Sequence, residues 1–544
     1  MFLFQNTAIQ VAYFKDKAHI YYTADFVTLR GIIMSVELIR KPINLYQLID
    51  EQQREELTET GIIVPDSKPD VLDVLAVDTS VIVKNREKSG KVMEISGELN
   101  FQVIYRADNQ EQSIEAINVN APWSVSCNYP AGEENIHTLV KSAVEHTNVE
   151  IVNGRKLSAK SVVKLNVKYL AIRTVEAGEN VQGENVYQKA DLHDIAMIED
   201  IGETTINVSE ILELSAGKPA IEEILYSSAM LKDLKISEND TLEAVLAINI
   251  LYRPDNDSTQ LENEYFEIPV SKSLELDKYY TNLSVNTVLK TLTVKPDEDL
   301  DGLLTRVRVD AEINAEYILY SRENVNLVND AYATDYDFEL EKMPVTVSVE
   351  EQDITENVQI NANIPLECGG ENLEEILSVG VKPKLLSVGN DTAGVEINGC
   401  LDVFVLYGTG TDMRIVRGAN QEVQFTHRVA LPETNARYDI DPQIQINDAG
   451  FDIASKTELG IKTDVAIKIH LSRKSEINVV TGIKGIKPVE KKENPPLIIY
   501  YTQDGDTLWS IARKYRVSIQ KIMNDNGMTE EIEPEAGQKI FLIG

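Results

Sequence analysis

The stretch Gly97-Glu98-Leu99-Asn100-Phe101-Gln102-Val103-Ile104-Tyr105 decides the fold. Gly97, Leu99, Phe101, Val103 and Tyr105 fall on every second position, the period of a strand with one buried face. The pattern returns as Ala244, Leu246, Ile248, Ile250, Tyr252 and again as Gly399, Leu401, Val403, Val405, Tyr407. Each run ends on tyrosine and meets turn residues: Asp108-Asn109, Pro254-Asp255-Asn256 and Gly408-Thr409-Gly410. The spacing is close to 150 residues, enough for each copy to bury a core of its own.

Two further blocks keep the same order. Lys68-Pro69-Asp70-Val71-Leu72-Asp73-Val74-Leu75 precedes the first run and Lys218-Pro219-Ala220-Ile221-Glu222-Glu223-Ile224-Leu225 the second. Glu371-Asn372-Leu373-Glu374-Glu375-Ile376-Leu377 keeps the apolar positions without the Lys-Pro. Val163, Leu165, Val167, Tyr169 close the first copy, Ala311, Ile313, Ala315, Tyr317 the second, and Thr463, Val465, Ile467, Ile469 the third. The expected fold is mainly β: three tandem β-sandwich-like repeats over 34–185, 186–335 and 336–480. One helix is expected in the first, over Asn44 to Thr58, with Leu45, Leu48, Ile49 and Leu57 on one face and Gly61 as its stop.

The chain has 544 residues, with 52 Lys+Arg against 88 Asp+Glu, a net charge of −36. Such acidity argues against the phosphate backbone of nucleic acid and against anionic membranes, and favours a basic partner. Cys127, Cys368 and Cys400 are far apart and form no C-x-x-C, so neither a zinc knuckle nor a dithiol motif is available, and a reducing compartment fits. No stretch is long and apolar enough to span a bilayer. The opening residues are broken by Lys15, Asp16 and Lys17 and make a poor signal peptide. Leu29-Arg30-Gly31-Ile32-Ile33-Met34 can be encoded by a ribosome-binding stretch before a start codon, so residues 1–33 are read as a non-native extension.

Catalytic motifs are missing. The histidines form no H-x-x-x-H or H-E-x-x-H, and there is no Gly-x-Ser-x-Gly elbow or P-loop. Asp297-Glu298-Asp299-Leu300-Asp301-Gly302 fits the start of a calcium loop, but Arg308 stands at position twelve, where a bidentate glutamate is needed. A solvated acidic turn is the reading, with no catalytic residue, metal or cofactor expected.

Composition changes at Thr481. Residues 481–497 are rich in Lys, Pro and Gly and read as a linker, which predicts few contacts between the repeats and the C-terminal segment. Residues 498–544 read β-α-α-β: a strand at Ile499-Tyr500-Tyr501-Thr502, a helix with Leu508, Ile511, Ala512 and Tyr515 inward, a second capped by Ser518, and a strand from Gly537 to Ile543.

This segment resembles the LysM module, through Tyr501-Thr502, Gly505-Asp506-Thr507-Leu508, Ile511-Ala512, Tyr515, Val517-Ser518, Asn526-Gly527 and Gly537-Gln538-Lys539. The resemblance implies a shallow groove for N-acetylglucosamine polymers, with Gly505, Asp506, Thr507 and Leu508 on one side and Met528 and Ile532 on the other. Gly505 and Thr507 equally suit any tight strand-to-helix turn. Trp509 lies off the buried stripe and reads either as an exposed anchor or as a side chain packed under the linker. Arg513, Lys514, Arg516 and Lys521 make a basic surface that would steer an acidic partner, or complement a helix dipole.

The Lys-Pro-Asp block, preceded by Ile63-Val64-Pro65-Asp66, resembles the SPOCS-type repeat of clostridial sporulation proteins over roughly residues 35–480, best in the first copy and least in the third. With the LysM-like end, the chain is similar to the SipL-like family of clostridial spore coat morphogenetic proteins. That likeness implies synthesis in the mother-cell cytoplasm, a place at the forespore surface in the coat, and a LysM module engaging a SpoIVA-like coat ATPase. The alternative is a wall or cortex anchor on peptidoglycan or a chitin-like glycan; neither reading involves nucleic acid, a membrane span or a cofactor. N-terminal mass spectrometry of the native protein checks the start at Met34, and a peptide from residues 1–33 refutes it.

Overall fold

The computed structural model describes residues 36–131, 135–255, 260–391, 394–410, 415–431, 438–489 and 496–543, with short backbone segments before residue 35. The extension 1–33 lies largely outside the described residues. Strands hold 78% of the chain and helices 3%.

The repeats fold as three units of six strands. The first has β1 Glu37–Ile63, β2 Val71–Ser89, β3 Val92–Ala107, β4 Ile114–Asn128, β5 Ile136–Asn153 and β6 Lys156–Gln182. The second has β7 Val186–Glu213, β8 Ile221–Ile236, β9 Thr241–Pro254, β10 Glu262–Ser273, β11 Asn282–Asp297 and β12 Arg306–Ala333. The third has β13 Tyr336–Pro365, β14 Leu373–Asp391, β15 Gly394–Thr409, β16 Ile415–Val429, β17 Tyr438–Ser455 and β18 Glu458–Pro488. In each unit the second, third and fourth strands form one antiparallel sheet. The first, sixth and fifth pair in that order, and a bridge from Ala196 to Ser348 joins the second and third units along their first strands.

The alternation in the sequence fills the space between the sheets. Leu99, Phe101, Val103 and Tyr105 of β3 are fully buried against Leu157, Val163, Leu165 and Val167 of β6. The recurrent tyrosine has a structural role, because its hydroxyl donates to a backbone carbonyl where the second strand begins. Tyr105 reaches Pro69 O at 3.0 Å, Tyr252 reaches Pro219 O at 3.1 Å and Tyr407 reaches Glu367 O at 3.1 Å. A buried carbonyl left without a donor is costly, so the tyrosine and the turn are fixed together.

The helix expected over Asn44–Thr58 is a strand. β1 pairs with β6 along its whole length, and the register slips between Tyr169 and Leu170, leaving Ile49 as a bulge. The bulge shifts the inward phase by one residue, so Leu45, Leu48 and Ile49 acquire helix-like spacing. Leu57 is 57% exposed, contrary to the helical stripe. The helix-favouring run Glu51 to Glu56 is overridden by its partner strand. Buried Gln52 even continues the pairing sideways, donating to Asn128 O at 2.7 Å and accepting from Asn128 N at 3.1 Å.

The first and last strands outrun their sandwiches. Glu37 to Leu48 pairs with Leu170 to Gln182, Val186 to Ile198 with Tyr320 to Ala333, and Tyr336 to Ser348 with Lys474 to Pro488. These three ribbons share an apolar centre with Ile43 and Leu45 from the first, Ile195 and Met197 from the second, and Val347 and Val479 from the third. The expected linker therefore starts too early. Residues 481–488 continue β18, because β13 needs a partner out to Tyr336.

The sandwiches also meet. Leu75, Leu225 and Leu377, at equivalent places in the three units, enter one buried cluster, as do Ile104, Leu251 and Leu406. Polar contacts run around the ring: Gln102 to Ser227 O at 2.9 Å, Asn249 to Ser378 Oγ at 3.3 Å, and Asn420 to Val77 O at 2.9 Å. A buried ionic contact between units centres on Arg253, which holds Glu222 at 2.8 Å and Glu223 at 2.6 Å in its own unit, and Glu115 at 3.1 Å and Ile114 O at 3.0 Å in the first. Arg253 and Glu115 are nearly closed to solvent, and without the guanidinium the buried Glu115 keeps only one cation, Lys68 at 3.2 Å, which it shares with Glu223. Arg253→Ala is expected to lower stability in urea by about 2 kcal/mol, and Arg253→Ala with Lys68→Ala, which leaves Glu115 without a cation, by about 3 kcal/mol or more. Lys235→Ala, which breaks an exposed pair with Glu243, should cost less than about 1 kcal/mol.

Candidate functional site

The C-terminal module is built from β19 Leu497–Tyr501, α1 Leu508–Tyr515, α2 Ile519–Asp525 and β20 Lys539–Ile543, the β-α-α-β order read from the sequence. The strands pair from Leu497 with Ile543 to Tyr501 with Lys539. Leu508, Ile511, Ala512, Ile522, Ile540 and Leu542 are the core.

The turn before α1 is held by its own side chains. Thr507 accepts from Ser510 N at 3.0 Å, and Ser510 Oγ accepts from Thr507 N at 3.0 Å, a reciprocal cap. Asp506 accepts from Gln503 N and from the Tyr500 hydroxyl, both at 2.7 Å. The Gln503 amide first, then the Tyr500 hydroxyl, holds its carboxyl below the usual carboxylate range. Gly505 sits at φ +84° with open space around it, a conformation that suits glycine.

Of the groove residues read from the sequence, Leu508 is fully buried and belongs to the core. Its backbone amide donates to Glu533 Oε2 at 2.7 Å. Glu533, which the sequence reading missed, thus contacts the first turn of α1; the clue was a carboxylate in the loop before the last strand that could meet a helix N-terminus. Ile532 is 66% exposed and Met528 half-buried on that side.

Trp509 is seated on the second unit. Its indole Nε1 donates to Asp330 Oδ2 at 2.8 Å, and its ring meets Tyr332 edge-on at 5.1 Å. Tyr332 stacks on Tyr187 at 5.4 Å and donates to Val517 O at 2.7 Å. The basic residues do not form one free surface. Arg513 pairs with Asp330 at 2.6 Å and Arg516 with Asp337, both acids on the ribbons. Lys514 lies over the Tyr500 ring, and Lys521 pairs with Asp525 at 3.3 Å. The expectation of few contacts between module and repeats is thus overturned: charged linker composition said nothing of the aromatic seat at Tyr332.

The remaining sequence candidates resolve locally. In the acidic turn, Asp299 accepts from Thr305 Oγ1 at 2.6 Å and from the amides of Asp301 and Leu303 at 2.9 Å, which holds its carboxyl low. Among the described residues no group of three or more His, Cys, Asp or Glu is placed to hold a metal ion. All three thiols are buried, and burial pushes Cys400 up to about 11, a setting that disfavours the reactive thiolate.

Comparison with known families matches residues 70–152 and 372–454 to the SipL, SPOCS domain and residues 500–542 to the LysM domain. The chain carries SipL-type SPOCS domains and a LysM domain. No curated protein and no solved structure matches it. The SPOCS matches fall on the second to fifth strands of the first and third units; the third copy, read as the weakest, is matched, and the second unit repeats the same strand order. SPOCS and LysM are non-catalytic binding domains, and together they support a sporulation protein with a peptidoglycan-binding kind of module. No helix among the described residues is long and apolar enough to cross a membrane.

Trp509 reports on the seating of the LysM module. In a Trp123→Phe background, Tyr332→Ala should shift Trp509 emission to the red and increase its quenching by iodide, while unchanged emission would mean that the module holds its place without Tyr332.

Proposed function

We propose that this protein is a non-enzymatic coat-assembly scaffold, made in the mother-cell cytoplasm and held at the forespore surface, whose LysM module contacts a SpoIVA-like coat ATPase. The observation that carries the reading is the uncovered face of the module's hairpin. Leu497, Ile499 and Tyr501 of β19 and Phe541 and Ile543 of β20 all point outward and are exposed. A contiguous apolar face rimmed by polar residues is the surface that a protein partner buries. The seat on the ribbons leaves this face clear, because it engages Trp509, Arg513, Arg516 and Val517 instead.

The groove supports the second reading, binding of peptidoglycan or a chitin-like glycan. The LysM match itself, the open turn at Gly505 and the exposed Ile532 favour it. An acetamide entering there has to displace Glu533 from the Leu508 amide, which weighs toward the protein partner.

Two variants of the full chain separate these readings. Ile499→Asp places a charge on the apolar face and is expected to weaken binding to the purified ATPase at least tenfold. Glu533→Ala should leave that binding unchanged. If Ile499→Asp binds normally, while Thr507→Ala or Met528→Ala abolishes co-sedimentation with peptidoglycan, the glycan reading stands.

A further inference from the structure

A second feature lies far from the LysM module, where the three units meet. A cavity of about 850 Å³ is walled by all three. Its basic side chains are Lys141, Lys164 and Lys168 from the first unit and Lys384 and Lys468 from the third. Among the described residues, Glu51 and Asp441 are the only carboxylates on its wall. The second unit supplies an apolar side with Leu231, Leu234, Val285 and Leu289. In a chain of net charge −36 this is a local reversal of sign, and composition does not account for it.

The pairing within the cavity is incomplete. Asp441 takes both Lys141 and Lys168 at 2.8 Å, while Glu51 stands 4.0 Å from Lys168. Lys164 reaches Glu145 only at 4.0 Å. Lys384 turns away to Asp402 at 2.9 Å, Glu422 at 3.7 Å and Glu145 O at 3.3 Å. Lys468 has no carboxylate within ion-pair distance among the described residues, and burial pushes its ammonium down despite the pull of Asp353. Asn166 Oδ1, on the same wall, is buried without a hydrogen-bond partner. An unpaired ammonium partly removed from water is costly, and a bound anion removes that cost.

We infer that this cavity is a binding site for a small multivalent oxyanion, a phosphate ester or a polycarboxylate, held by Lys468 together with the Lys141–Lys168 pair. The geometry suits such a ligand. Asp441 already shows that the two first-unit lysines converge on a single carboxylate, and Lys468 adds a third cation on the facing unit. The Asn166 carbonyl can accept from a ligand hydroxyl, and the leucine and valine side packs against its carbon skeleton. Since all three units contribute, the occupied cavity also ties them together.

Titration calorimetry on the full chain tests this with tripolyphosphate and citrate as the two arms and glucose as the neutral control. One saturable site per chain is expected for at least one of the anions, and the better arm tells phosphate from carboxylate chemistry. Lys468→Gln should weaken that binding about tenfold or more, whereas Lys235→Gln, at an exposed pair on another surface, should not. Because Lys468 lacks a carboxylate partner among the described residues, Lys468→Gln without ligand should melt no lower than the parent chain. Absence of saturable binding to either anion, unchanged affinity in Lys468→Gln, or a lower melting temperature for that variant would each overturn the assignment.

Discussion

A two-stranded ribbon cannot bury its own apolar face, and the architecture of this chain follows from that constraint. Each unit extends its first and last strands well past its sandwich, and residues such as Ile43, Ile195 and Val347 complete their burial in one cluster shared by all three ribbons. Three ribbons brought together cover one another. Covalent linkage in tandem makes that meeting intramolecular, at an effective concentration that separate copies would lack. The sandwiches then have to meet as well, at the cluster around Leu75, Leu225 and Leu377. The family matches stop short of the ribbons, covering only the second to fifth strands of a unit. The part that creates the assembly is thus the part that the domain description leaves out.

The ribbons also carry the LysM module. Asp330 and Tyr332, near the end of β12, hold Trp509, and Asp337, near the start of β13, pairs with Arg516, so the module touches the ribbons of the second and third units. This couples the repeats to the binding module through an indole, a phenol and two ion pairs. The ion pairs are partly solvent-exposed and contribute little by themselves. The aromatic contact, with its charge-assisted hydrogen bond to Asp330, is the interaction that sets the orientation.

How much of this was legible in the sequence depends on the range of the interaction. The strand containing Leu99 to Tyr105 was plain because alternation is local and each copy repeats it. The LysM core was plain for the same reason, through Leu508, Ile511 and Ala512. The helix assigned to Asn44–Thr58 failed at Ile49, where a bulge set by the partner strand shifts the phase; no local pattern reports a partner's register. Trp509 was correctly singled out as exceptional, but its contact lies 179 residues away. Glu533 was missed since its role appears only once two loops face each other. Tertiary pairing, not propensity, decided every one of these cases.

Repetition constrains the core, and the copies depart from one another at outward charged positions. The arginine that follows the recurrent tyrosine reaches into a neighbouring unit twice, as Arg106 to Val416 O and as Arg253 to Ile114 O, while the third unit has Gly408 in that place. The residue before the closing tyrosine position is Lys168 in the first unit and Lys468 in the third, both on the central cavity. In the second unit it is Glu316, which pairs with Arg86 of the first at 2.6 Å instead. The inward neighbours of this position, Val167, Ala315 and Ile467, stay apolar and buried in all three. One strand position therefore keeps its packing neighbours through triplication while its outward side chain changes sign. That divergence supplies Lys168 and Lys468, two of the five lysines that line the shared centre of three acidic units.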